Sequence, residues 1–338
     1  MANQTFGLDI GRSFIKVVQV KIVGGKKYLE AAASIQTPSG GIMNESPIEL
    51  KKLSDGIKLC VDNARISTDR CAVSLIESQV VSHLIQMPNL TDKELAAAIN
   101  WEAEQYIPLP VKDVNLQYKV ILRPTDSSAP MDILLIAAPK RVINKYLKIV
   151  KDAGFAVEAL ETESAALARA LIKKDDPVTI LVSLGAVSTE LVVVKEANVL
   201  FTRSIATGGI NLTKAVMAEF NLPQNQAEEY KHTYGILEDK LSGKVAQVLK
   251  PILEILVSEI LKAFEFSKTH VKDSSIGRLV LCGGGAFLPG LSQFLTERTS
   301  MEVSLGDAWA DFEKEGLLLK MPGQGIVFSV ACGLALRS

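Results

Sequence analysis

Gly7-Leu8-Asp9-Ile10-Gly11 near the N-terminus and Val182-Ser183-Leu184-Gly185-Ala186 in mid-chain follow one pattern. In each, an apolar run rich in β-branched residues enters a glycine turn and resumes as a strand, Phe14 to Val20 in the first and Thr189 to Lys195 in the second. That pattern predicts a β-hairpin. Glycine has no Cβ, so the backbone N–H groups of such a tip can come close to an anion. The pair therefore predicts an internally duplicated fold that binds phosphate. The copies differ where chemistry would occur, with Asp9 in the first and Ser183 in the second.

The rest of the chain fits a folded protein of about two domains, since 338 residues at 48% hydrophobic composition can bury large cores. Thirty-seven Lys and Arg balance 38 Asp and Glu without like-charge runs, so nothing favours nucleic acid as a partner. Cys60, Cys71, Cys282 and Cys332 lack metal-ligand spacing, and three of them lie in apolar surroundings expected to bury them. A cytoplasmic location is expected. No basic-then-apolar leader precedes the first strand. The most hydrophobic helix, from about Val245 to Val271, carries Lys250, Glu254, Glu259, Lys262 and Glu265, too many charges for direct membrane insertion. A membrane role would need a protein partner.

Residues 80–155 read as strand, helix, two strands and a helix that stops at Gly154, a compact unit inserted into a larger domain. Thr91 and Glu94 form a capping box at the start of its first helix. On that helix Trp101, Glu102 and Glu104 are expected to be one buried Trp among solvated acids, rather than a partner surface. Asp175-Asp176-Pro177 marks a hinge to the second half. There, three strands precede Gly208-Gly209 and a run of helices, and an apolar strand runs into Gly283-Gly284-Gly285. His83, His232 and His270 are remote from one another in sequence and receive no role.

Three constellations carry candidate chemistry. In Asp9-x-Gly11-Arg12-Ser13-x-x-Lys16, Lys16 can point back from the returning strand to neutralise phosphate, and Asp9 can hold a hydrated Mg²⁺. An ordinary tight hairpin with Asp as a turn residue is the alternative. Gly283-Gly284-Gly285, between a buried strand and a helix, lets the backbone lie flat against a ligand, or makes a sharp connection. Glu228 and Lys231, three apart on a helix, can pair with each other or hydrogen-bond a ribose and a base.

Taken in order, strand-Asp-x-Gly-strand, the mid-chain counterpart, Gly208-Gly209, helical Ala-Glu-x-x-Lys and the final strand-Gly-Gly-Gly resemble the actin-like ATPase superfamily. That superfamily includes actin, Hsp70, sugar kinases, FtsA and MreB. Within it the chain is similar to the PilM family of type IV pilus assembly, through Gly7 to Gly11, Ile99 to Pro108, Ala137 to Lys140, Ala153 to Phe155 and Glu161 to Glu163. The resemblance implies an α/β, actin-like (ribonuclease H-like, duplicated) two-lobed fold with an inserted FtsA-type 1C (SHS2-like) subdomain. Residues 1–79, 156–177 and 323–338 would form subdomain 1A, and 80–155 subdomain 1C. Residues 178–207 and 274–322 would form 2A, and 208–273 would form 2B.

By position, the resemblance assigns Asp9, Gly11, Ser13 and Lys16 to a first phosphate motif, within which Arg12 also counts as a candidate nucleotide contact, and Gly185 to a second. Gly208 and Gly209 would lie near the phosphates, Glu228 and Lys231 at the nucleoside, and Gly283, Gly284 and Gly285 at the adenosine. ATP or ADP with Mg²⁺, held by Asp9 through water, is the implied ligand. Ser183 stands where the family pattern has Asp, which predicts nucleotide binding with weak or absent hydrolysis. Arg12 replaces a small hydroxyl residue and either adds a phosphate contact or blocks one.

The implied role is a cytoplasmic adaptor at the inner face of the cytoplasmic membrane, in a type IV pilus or type II secretion platform. It would bind the cytoplasmic N-terminus of a PilN-like bitopic membrane protein alongside other platform proteins, and self-association is open. Two other readings of the fold are an FtsA-like division protein and a small-molecule kinase. The first needs a basic amphipathic C-terminal helix, and the second needs the missing carboxylate.

Overall fold

The computed structural model describes residues 5–270 and 277–337, with side chains excepted at 269 and 270. The predicted end of the long helix at Val271 and the boundary between residues 273 and 274 therefore lie outside the described residues. Thirteen strands in three sheets organise the described chain.

The first sheet runs in the order β3-β2-β1-β4-β8, from β1 (Phe6–Ile10), β2 (Phe14–Val23), β3 (Lys26–Gln36), β4 (Arg70–Leu75) and β8 (Ala156–Thr162). The second runs β11-β10-β9-β12-β13, from β9 (Thr179–Leu184), β10 (Thr189–Lys195), β11 (Asn198–Ile205), β12 (Arg278–Cys282) and β13 (Glu302–Leu305). Directions repeat as well as order. β1 is antiparallel to β2 and parallel to β4, as β9 is antiparallel to β10 and parallel to β12. The duplication expected from the two glycine turns is thus a duplication of whole sheets.

Helices cover both sheets because their strands are apolar on both faces, as β1 and β9 show. α1 (Pro47–Ala64) and α3 (Lys140–Asp152) bury Ile57, Val142 and Tyr146 against Leu8 and Val73 of the first sheet. α5 (Gly209–Phe220), α6 (Gln224–Tyr234), α7 (Lys244–His270) and α8 (Leu291–Thr299) build the second lobe's core with Val182 and Leu281. α4 (Glu163–Leu171) links the lobes, and α9 (Ser329–Ala335) returns to pack on it and on β1.

Residues 308–318, placed with the second lobe in the sequence reading, pack instead on the first sheet. Trp309, Phe312 and Leu318 bury against Val18, Val20 and Leu29, and the Glu313 N–H donates to the Lys27 carbonyl at 2.9 Å. This segment is irregular, so no periodicity marks its partner.

Between β4 and β8 the chain makes the third sheet, ordered β5-β7-β6 from β5 (Val81–Met87), β6 (Val114–Leu122) and β7 (Met131–Pro139). α2 (Asp92–Ala103) covers it through Leu95, Ile99 and Ala103. The capping box is present: the Glu94 carboxylate accepts the Thr91 N–H at 2.9 Å, and Thr91 Oγ1 accepts the Glu94 N–H at 3.4 Å. Trp101 departs from expectation, with 79% of its surface exposed, because it falls on the opposite side of α2 from the Leu95-Ile99-Ala103 stripe. All four cysteines are buried and free. Among the described residues no helix is long and apolar enough to cross a membrane.

Candidate functional site

Both glycine hairpins open onto one cleft between the lobes, of about 590 Å³. In the first, the Gly11 N–H donates to the Phe14 carbonyl at 3.1 Å, closing the turn and setting Asp9 opposite Lys16. Asp9 is only 4% exposed. Its carboxylate accepts from Lys16 Nζ at 3.3 Å and from Ser74 Oγ at 3.4 Å. Thr37 steadies the tip by donating its hydroxyl to the Gly11 carbonyl and its N–H to the Ser13 carbonyl, both at 2.8 Å. The Arg12 and Ser13 N–H groups have no backbone acceptor among the described residues, which leaves them free for an anion.

The second hairpin repeats the geometry with other chemistry. The Gly185 N–H donates to the Ser188 carbonyl at 2.9 Å, and Ser183 lies opposite Glu190. A Cβ at Gly11 or at Gly185 would sit 2.7 or 2.8 Å from the carbonyl oxygen that closes its own turn, so both tips need glycine. The tip is docked on the start of α5, where the Gly209 and Ile210 N–H groups donate to the Gly185 and Ala186 carbonyls at 3.0 and 2.8 Å. The Gly208 N–H is held by Asn211 Oδ1 at 3.0 Å.

Glu190 has no role in the sequence reading, although it stands in the register position that Lys16 fills in the first hairpin. Its Oε1 accepts from the Ser188 and Ser204 hydroxyls at 2.8 and 2.9 Å, and its Oε2 is buried with no hydrogen-bond partner. Burial pushes this carboxyl up to about 7. Glu163, the first residue of α4, also lines the cleft, and burial followed by the nearby charge of Asp9 drives it well above the carboxylate range. It accepts the Glu77 N–H at 3.3 Å, while the Glu77 carboxyl accepts the Ser164 N–H and hydroxyl, both at 3.2 Å. The available signal was an acid inside the apolar strand Thr189-Glu190-Leu191-Val192 and another just after the helix-capping Thr162.

At the far end of the cleft, Lys231 is buried, and its ammonium donates to Glu228 Oε1 at 2.7 Å, Thr213 Oγ1 at 2.9 Å and the Gly209 carbonyl at 3.3 Å. Three acceptors exhaust its three protons. Lys231 therefore braces the Gly208-Gly209 turn from beneath, and Glu228 is the member of the pair that meets solvent. Burial alone would raise the Glu228 carboxyl, but hydrogen bonds from Lys231 and Thr213 outweigh it and hold the group below its usual range. His232 Nε2 lies 3.1 Å from Glu228 Oε1, which brings one of the unassigned histidines into the cleft lining.

The three glycines after β12 separate by role. A Cβ on Gly283 would meet the Leu184 carbonyl oxygen at 2.6 Å, and one on Gly285 the Leu184 side chain at 2.7 Å, whereas Gly284 faces open space. Packing against β9 accounts for two of them, and Gly284 leaves the surface bare for a ligand.

Mg²⁺ asks for ionised oxygen ligands. Asp9 is already engaged by Lys16, Ser183 offers only a hydroxyl, and Glu163 and Glu190 are driven toward their protonated forms. Among the described residues no group of three or more His, Cys, Asp or Glu is arranged to hold a metal. These residues do not fit a directly ligated divalent ion.

A second depression of about 420 Å³ lies where the inserted unit meets α3, lined by Asn100, Asn115, Leu116, Lys140, Ile143 and Asn144 among others. β6, which lines it, is an edge strand. Exposed Trp101 adjoins Asn100 on α2.

The family model for type IV pilus assembly protein PilM matches residues 7–338. The chain belongs to the PilM family. A solved PilM-PilN type IV pilus biogenesis complex contains a chain 29% identical to this one, with a TM-score of 0.83 over 99% of this chain and 98% of that chain. Cell division protein FtsA of Borreliella burgdorferi is 22% identical over 353 residues, covering 90% of this chain and 84% of the relative. MreB 5 of Spiroplasma citri, solved bound to AMPPNP, is 12% identical with a TM-score of 0.56, covering 98% of this chain and 95% of that chain. The fold of this PilM-family chain is accordingly actin-like, as its motif order implied.

Proposed function

We propose that this PilM-family protein is a nucleotide-binding adaptor of a type IV pilus, or related secretion, assembly platform. The single observation carrying the reading is the full-length match to a PilM chain solved as a PilM-PilN complex. The cleft would take ATP or ADP. The hairpin N–H groups of Arg12, Ser13, Ala186 and Val187 would face the phosphates, and Gly284 and Glu228 the nucleoside. Lys16 and Lys231 would act from behind, holding Asp9 and the Gly208-Gly209 turn. Any Mg²⁺ carried on the nucleotide phosphates would reach Asp9 only through water. Hydrolysis would be weak, because Ser183 cannot organise metal and attacking water as a carboxylate does.

The groove between the inserted unit and α3 would receive the extended cytoplasmic N-terminus of a PilN-like bitopic protein. The amides of Asn100, Asn115 and Asn144 can satisfy a peptide backbone, the free edge of β6 can extend onto it, and Leu116 and Ile143 give apolar contact. This partner would hold the protein at the inner face of the membrane. Nucleotide would bias the lobe arrangement only through different affinity for its open and closed forms.

The test is recovery from detergent-solubilised native membranes by tagged wild-type protein and by Leu116→Arg/Asn144→Arg. A bound single-span protein that is lost on truncating its cytoplasmic N-terminus, and lost with the groove variant, is expected. Equal recovery by the groove variant would contradict the site.

A further inference from the structure

We infer that Arg12 takes the place of a divalent cation at the terminal phosphate, so that this cleft binds nucleoside triphosphate without Mg²⁺. The inference rests on the nucleotide reading above and goes beyond it in naming the charge that neutralises the ligand. Four basic side chains line the cleft: Arg12, Lys16, Lys231 and His232. Three are committed to the protein, Lys16 to Asp9 at 3.3 Å, Lys231 to its three acceptors, and His232 to Glu228 at 3.1 Å. Among the described residues Arg12 makes no ion pair and no side-chain hydrogen bond, and it is exposed at the first hairpin's tip.

The backbone that carries it is fixed. Thr37 ties the carbonyls on either side of Arg12, at Gly11 and Ser13, and the adjoining N–H groups of Arg12 and Ser13 have no backbone acceptor among the described residues. A guanidinium offers five donors in a rigid fork and pairs with phosphate bidentately.

The acidic side of the cleft agrees with this. A divalent ion is drawn into a site by ionised oxygens. Here the second hairpin has a serine in the register position of Asp9, Asp9 itself is paired, and Glu190 is held by two serine hydroxyls with its other oxygen sealed from solvent. One tip has a serine in the register position where the other has Asp9, and the Asp9 tip also carries the guanidinium of Arg12. Both features favour binding the bare polyanion over a metal–triphosphate.

Isothermal titration of the full chain with ATP and ADP, in Mg²⁺ and in EDTA, tests this in wild type, Arg12→Ser and Arg12→Lys. Wild type should bind ATP in EDTA within about threefold of its affinity in Mg²⁺, and Arg12→Ser should lose at least about tenfold in EDTA. The loss should be smaller in Mg²⁺ and smaller for ADP, and Arg12→Lys should recover part of it, since it restores the charge without the fork. Thermal melts should be unchanged, because the side chain is exposed. Wild type binding only with Mg²⁺, or Arg12→Ser matching wild type in EDTA, would overturn the role of Arg12 alone. Failure of wild type to bind either nucleotide in both media would overturn the nucleotide reading and this inference with it.

Discussion

The two glycine hairpins share a backbone and differ in charge. The first carries Asp9 opposite Lys16, the second Ser183 opposite Glu190, and each turn closes through one N–H donated across the tip. In the first, the acid is neutralised by an ammonium and the tip carries a free guanidinium. In the second, the acid has moved to the returning strand, two hydroxyls hold it, and the tip is locked to α5. The two hairpins share what the backbone needs, while the side chains at matching positions differ, one tip bearing an unpaired guanidinium and the other being docked on α5.

Making the halves alike should break this arrangement most severely. Asp9→Ser/Lys16→Glu gives the first hairpin the pair of the second; the fold should survive, since that register already tolerates both pairs. Nucleotide affinity should fall at least about 100-fold, as an acid would stand by the phosphates. Titration calorimetry checks it, and a loss under about threefold would show that the first hairpin is not the ligand-facing one.

The shared backbone is tested next. Gly11→Ala and Gly185→Ala should each cost about 1–3 kcal/mol by pressing a methyl on the closing carbonyl. Urea melts should give similar values for the two, and a sharply unequal pair would mean the turns are not mechanically equivalent.

Glu190 makes a pH-dependent prediction. Burial raises its carboxyl from the ordinary 4.5 to about 7, so the folded state binds the extra proton in that window. The contribution to stability is therefore fully present below about 4.5, declines as pH rises to about 7, and is level beyond. Glu190→Gln should raise stability at pH 8 by on the order of 1–3 kcal/mol and leave it nearly unchanged at pH 4. A variant destabilised equally at both pH values would show that Glu190 is ionised in the folded protein.

The smallest effect concerns the lost carboxylate. Ser183→Asp should raise Mg²⁺-dependent phosphate release about tenfold, read in a coupled assay. An unchanged rate would mean that this position does not limit turnover.

The duplication was legible because apolar, β-branched runs broken by glycine are local signals, and β1, β2, β9 and β10 formed where those runs lie. The glycines were legible for the same reason, and packing against Leu184 is enough to require glycine at 283 and 285. Glu190 and Glu163 were missed since their character comes from burial by elements far away in sequence. Lys231 was recognised as a partner of Glu228 or a nucleoside contact; only the packing of α5 on α6 shows that its protons are spent on Glu228, Thr213 and the Gly209 carbonyl. Trp101 was within reach: two positions from Ile99 it falls about 200° around the helix, off the buried stripe. Residues 308–318 were not, because an irregular segment carries no period that points to its sheet.

Hydrogen exchange of the full chain with and without ATP tests most directly whether the paired hairpins close on a nucleotide. The account predicts slower exchange in segments 9–16, 183–190, 208–213 and 283–288 together, with the remainder of both sheets unchanged. Protection at only one hairpin, or at neither while ATP is bound, would contradict a cleft built from both copies.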